Sequence, residues 1–122
     1  MPFKYKIIHE KEITFVQAVG EITLESSIQA MEDVLADKEY SLDYQAVLDL
    51  SKTNFNPSMT EVFTLRDSIA LLRDHIKKEI IVIVKKELAP PISMVAFLAK
   101  VYNVNMRAVD HYPNLEELES YL

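Results

Sequence analysis

The chain has 122 residues, 49% of them hydrophobic and 26% charged, and 19 acidic against 13 basic side chains leave a net charge of −6. That makeup suits one globular domain over residues 1–122 with a single core, and its acidity repels a phosphate backbone, which sets nucleic acid aside as a partner. Without cysteine there is no disulfide, thiolate nucleophile or thiolate-held metal, and a lone glycine, Gly20, cannot build a Walker A loop or a G-x-G-x-x-G turn.

The opening "MPFKYKIIHEKEITF" lacks the continuous apolar stretch of a signal peptide, and no apolar run approaches the ~20 residues that span a bilayer. A cytoplasmic location is the expectation. Lys4 to Ile8 and Ile13 to Val19 are β-rich runs around a charged turn, His9 to Glu12, which predicts an antiparallel hairpin ending at Gly20. Thr23 then stands at an N-cap position, and Leu24, Ile28, Met31 and Leu35 recur at helical spacing, so a first helix runs to about Asp37. Ala46 to Ser51 reads as a short buried strand.

Ser58 and Glu61 form the S-x-x-E capping pattern, with Pro57 holding Asn56 out of helical geometry. Val62, Leu65, Ile69, Leu72 and Ile76 then mark a second amphipathic helix. Five consecutive β-branched residues, Ile80 to Val84, predict a strand covered on both faces and central in the sheet. Pro90 and Pro91 open a third helix through about Tyr102. A strand over Val104 to Val109 and a short helix with Asn114 and Glu117 in the capping pattern complete the chain. The order β-β-α-β-α-β-α-β-α predicts an α/β fold with right-handed crossovers, a mostly parallel sheet and the first strand as an antiparallel edge.

This order, the phrase "VLDLSKTNF" leading into a capped helix and the closing "NLEELESYL" resemble the SpoIIAA-like, or STAS, fold of anti-sigma factor antagonists, and most closely small stand-alone STAS/SEC14-like bacterial proteins. The resemblance covers nearly the whole chain and implies a regulatory, protein-binding module. Antagonists of that family carry a pattern like "DLS-x-x-x-F-x-D-S-[ST]-G", whose second hydroxyl is phosphorylated by a partner kinase. Laid on Asp49, Leu50, Ser51 and Phe55, the pattern puts Pro57 at the aspartate, Ser58 at the first hydroxyl, Met59 at the phosphoacceptor and Thr60 at the glycine. Three of those four positions depart, so Ser58 and Thr60 are hydroxyls beside a lost acceptor; their structural reading is an N-cap and a first-turn residue.

In a parallel sheet the loops after the strands line the usual ligand crevice. Here they bring Asp49, Ser51, Asn54, Asn56, Lys85, Lys86, Asp110 and His111 as candidates for a polar or anionic ligand. Asp49 within "VLDL" also has a structural reading, as an acceptor for neighbouring backbone amides. His9, His75 and His111 are too scattered for a metal site, and no cofactor is expected. The third helix, "PPISMVAFLAKVYNV", is apolar nearly all round: Ile92, Val95, Ala99 and Tyr102 make one face, Met94, Phe97 and Val101 a second. Either neighbouring helices cover the second face, or it is an interface or the wall of a ligand cavity. The leading functional expectation is a non-catalytic interaction module, with another protein or a second copy as partner. A small-molecule or lipid carrier using a crevice beside the third helix is the alternative, and an enzyme acting on a small anionic metabolite comes third.

Overall fold

The computed structural model describes residues 2–54 and 57–122. Among them it shows an α/β fold, one five-stranded, mostly parallel sheet with four α-helices. The strands are β1 (Phe3–Ile8), β2 (Ile13–Gly20), β3 (Gln45–Thr53), β4 (Ile80–Ile83) and β5 (Met106–Val109). The helices are α1 (Leu24–Ala36), α2 (Met59–Ala70), α3 (Ala89–Ala99) and α4 (Leu115–Glu119). Spatial order equals chain order. β1 pairs antiparallel with β2, and β2, β3, β4 and β5 are parallel.

Because each crossover moves one strand in the same direction, crossovers of one hand place α1, α2 and α3 on a single face. The core follows that division. Ala18, Leu50, Ile80, Val82 and Val84 point to the side of Val62, Ile69, Ile92 and Val95. The alternate residues Phe15, Val47 and Ile83 point the other way, into a smaller core with Ile8 and with Leu118 and its neighbours from α4 and the segments on either side of it.

Local chemistry explains most boundaries. Thr23 and Ser26 close a reciprocal capping box on α1, with Ser26 N donating to Thr23 Oγ1 at 3.1 Å and Thr23 N to Ser26 Oγ at 2.9 Å. Ser58 and Glu61 do the same for α2, at 3.2 and 3.1 Å. The hairpin turn is a 3-10 turn, His9–Lys11, closed by Glu12 at φ 54°. α3 continues as a 3-10 turn to Tyr102, and Asn103 at φ 63° ends it.

Three expectations need correction. The β-branched strand is buried on both faces but is not central: it is β4, beside the edge strand β5, and β3 holds the middle of the sheet. Asn114 does not cap α4 with its side chain; it lies at φ 61°, Glu117 N donates to its carbonyl, and the Glu117 side chain pairs with Lys11 at 2.6 Å. In α1 the most buried residues are Ala30 and Val34, while Leu24, Ile28, Met31 and Leu35 are only half-buried, because the helix does not press that stripe fully onto the sheet. The side chain of Leu72 lies outside the described residues.

Gly20 ends β2 at φ +85°, and a Cβ there meets nothing within 4 Å. A Gly20→Ala change therefore tests backbone strain without steric clash. It should lower unfolding stability by about 1 kcal/mol in urea denaturation, and an unchanged midpoint would show that the turn relaxes freely.

Candidate functional site

The face opposite the three helices carries the polar centre of the molecule. β3 and β2 pair in register up to Gln17 and Asp49, and then Val19 pairs with Lys52. Leu50 and Ser51 thus oppose Ala18 alone, a β-bulge that inserts one residue into β3. Leu50 keeps its place in the helix-side core, but the inserted residue turns Lys52, which strict alternation would bury there, toward α4. Asp49 and Lys52 consequently share one face.

Asp49 is fully buried. Its Oδ1 accepts from Ser51 N at 2.9 Å and Ser51 Oγ at 2.6 Å, and its Oδ2 accepts from Gln17 Nε2 at 3.0 Å. The carboxyl group thereby satisfies the backbone amide that the bulge takes out of the ladder. Gln17 Nε2 also donates to Glu119 Oε2 at 3.1 Å, and Lys52 Nζ reaches the same oxygen at 2.7 Å. Lys52 first, then Gln17, holds the Glu119 carboxyl below its ordinary value, and the Glu119 carboxyl in turn raises Lys52. A buried acceptor, an amide that donates in two directions, and an ion pair at the solvent edge thus fasten α4 to the sheet.

Asp49 and Ser51 meet in this network, as the sequence reading of Asp49 as an acceptor for backbone amides expects. Asn54 is exposed, its amide donating to the Gly20 carbonyl, and Asn56, with Phe55, lies outside the described residues. Lys85, Lys86, Asp110 and His111 are exposed, and among the described residues no hydrogen bond or ion pair joins their side chains to Asp49. The carboxyl-end loops therefore assemble only part of the expected polar set. No group of three or more His, Asp or Glu among the described residues is arranged to hold a metal ion, and no helix among them is long and apolar enough to cross a membrane. Ser58 Oγ is engaged in the α2 cap, and Thr60 is exposed in its first turn. Gln17, Lys52 and Glu119 were not singled out from the sequence. Lys52 carried a signal, a charged residue where alternation demands an apolar one.

On the other face, α3 divides as its two stripes suggest. Ile92, Val95, Ala96 and Ala99 are buried, whereas Phe97 is 71% and Val101 75% exposed, with Met94 at 42%. α2 packs beside α3 and exposes Met59 and Phe63 from its first turns. An apolar cavity adjoins the buried side of α3 among the described residues. It lies between the sheet and the α1–α2 pair, with α3 contributing only Ile92 and Val95 to its wall. No family model matches the chain, and no curated protein matches it.

The Asp49 network can be tested through its donor pattern. Gln17 bridges two acceptors, so Asp49→Asn sets two NH₂ groups against each other, and turning Gln17 over would put its oxygen against Glu119. Asp49→Asn should cost about 1–3 kcal/mol of stability, and adding Glu119→Gln, which offers a donor to the turned Gln17, should recover part of it. Additive losses in the double variant would break the bridge argument.

The pH dependence has a fixed sign. A depressed folded value for Glu119 means its contribution is present above the ordinary value of 4.5 and lost as pH falls through the lower folded value. The stability gap between wild type and Glu119→Gln, about 0.2–1 kcal/mol for a partly exposed pair, should be constant near neutrality and close on acidification below that range. A gap that widens in acid would contradict the arrangement.

Proposed function

We propose that the chain is a non-catalytic interaction module of the SpoIIAA-like STAS kind that works through the outward face of α3 rather than through a phosphorylated hydroxyl. The observation that carries this reading is the exposure of Met94, Phe97 and Val101 together on one helix. Large apolar side chains in water are individually ordinary, but three on one helical face are where protein interfaces draw their contact area, and Met and Phe are enriched there. Met59 and Phe63 on the adjoining helix extend the apolar character. Covering ~300 Å² of such surface contributes ~7 kcal/mol before the cost of association.

Support for the family comes from the order of elements and from the strand that leads through a turn into a capped helix. The acceptor position holds Met59, and the neighbouring hydroxyl of Ser58 already accepts from Glu61 N. Regulation by phosphate is accordingly the weaker part of the resemblance, and binding by shape the stronger. A second reading, a carrier of a small molecule, is favoured by the cavity beneath α1.

Light scattering over a concentration series addresses the first reading. We expect a dimer that Phe97→Glu and Val101→Glu each convert to monomer with unchanged far-ultraviolet circular dichroism, since both side chains already face water in the single chain, and with a melting temperature lowered only by the lost association. A strict monomer at every concentration, combined with a photo-crosslinking residue at position 97 that captures no defined protein in native cells, would overturn it.

A further inference from the structure

The exposed stripe of α3, carried on into the 3-10 turn that continues it, is narrow and reads the same in both directions. Pro90, Met94, Phe97 and Val101 are all exposed. They follow one another at steps of four, three and four, so they fall within about 60° of one another around the helix, the width of a coiled-coil seam. Reversing the helix carries each member onto another, Pro90 onto Val101 and Met94 onto Phe97. A seam of this kind can pack against a copy of itself running the opposite way.

Charge favours the same arrangement. The chain has 19 Asp and Glu, yet residues 88–109 contain none, so a second copy of this acidic chain meets least repulsion there. Lys85 and Lys86 are exposed just before α3. Two parallel α3 helices would gather four lysines and two positive helix ends at one place. Antiparallel, each lysine pair lies by the C-terminal end of the other helix, where unpaired carbonyls carry partial negative charge. A stable interface takes about 600–1,000 Å² from each copy, more than one helical stripe supplies. Met59 and Phe63, exposed on the adjoining α2, widen the apolar area available.

We infer that the partner of the α3 face is a second copy of this chain, related by a twofold axis that sets the two α3 helices antiparallel, Met94 against the second copy's Phe97 and Pro90 against its Val101. The inference rests on the reading of α3 as an interaction surface and adds what binds there and in which direction.

The chain has no cysteine, so introduced ones report proximity without background. In the antiparallel pairing the two Val101 positions stand about 16 Å apart along the helix axes, beyond the reach of a disulfide, while each faces the other copy's Pro90. Under mild oxidation Val101→Cys alone and Pro90→Cys alone should therefore give no disulfide dimer, whereas an equimolar mixture should give the mixed dimer, identified by mass, as its main product. Adding Phe97→Glu to both variants should abolish that product with unchanged far-ultraviolet circular dichroism. An efficient disulfide in Val101→Cys alone would reveal a parallel pairing, and a mixture that yields none would show that the stripe does not pair with itself; either overturns the inference. A strict monomer in light scattering whose position 97 captures another protein also overturns it, and leaves the reading of α3 as an interaction surface intact.

Discussion

The strands follow one another across the sheet in chain order, and this constraint distributes everything else. Three crossovers of the same hand stack α1, α2 and α3 on one side, so that face holds the larger core. The opposite face buries Phe15, Val47 and Ile83 under the segment that follows β5. That is a five-residue helix and two tyrosines beside it. A helix that short has little intrinsic stability. It holds its place through Leu118 and through polar ties, Lys11 to Glu117 at one point and the Gln17–Glu119–Lys52 group at another. The bulge in β3 makes the second tie possible by bringing Lys52 round to the α4 face, and Asp49 satisfies the amide that the bulge leaves over.

The crowded face has the complementary problem. α2 and α3 pack closely on each other and on β4 and β5, while α1, set over the β2 side of the sheet, meets α2 more sparsely. Its deepest residues are small or β-branched, Ala30 and Val34, and its longer side chains Met31 and Leu35 stay half-buried. The cavity is the volume those choices leave unfilled. A layer of three helices over a strongly parallel sheet thus yields a tight half around α3 and an open half under α1, and Thr14 falls in the open half.

How much of this could be read in the residues depends on the range of the interaction. Local signals were legible: Thr23 and Ser58 do start helices, the five β-branched residues of Ile80 to Val84 do lie between two layers, and Gly20 does end a strand with positive φ. Signals that compete with distant partners were not. Asn114 and Glu117 have the spacing of a capping box, yet Lys11, more than a hundred residues away in the chain, claims the glutamate. The middle place in the sheet went to β3 rather than to the most apolar strand, because strand order is set by crossover direction and hydrophobicity reports only that both faces are covered. Of the site, Asp49 and Ser51 were readable as local partners. Glu119 carried no signal, since only the fold brings it to Gln17. The cavity was invisible for the same reason: it is a property of how α1 seats, and a helical stripe at regular spacing looks the same whether it packs tightly or leaves a gap.

α3 joins the two candidate surfaces. Ile92 and Val95 wall the cavity while Met94 and Phe97, on the same turns, face outward. A molecule bound inside stabilises the folded chain by mass action, in proportion to its occupancy. It alters affinity at the outer face only to the extent that it prefers one seating of α3 over another, and whatever coupling results must act equally in both directions. Since the buried side of α3 is tightly packed against β5 and α2, a shift large enough to be felt outside would have to move the helix as a body rather than bend it.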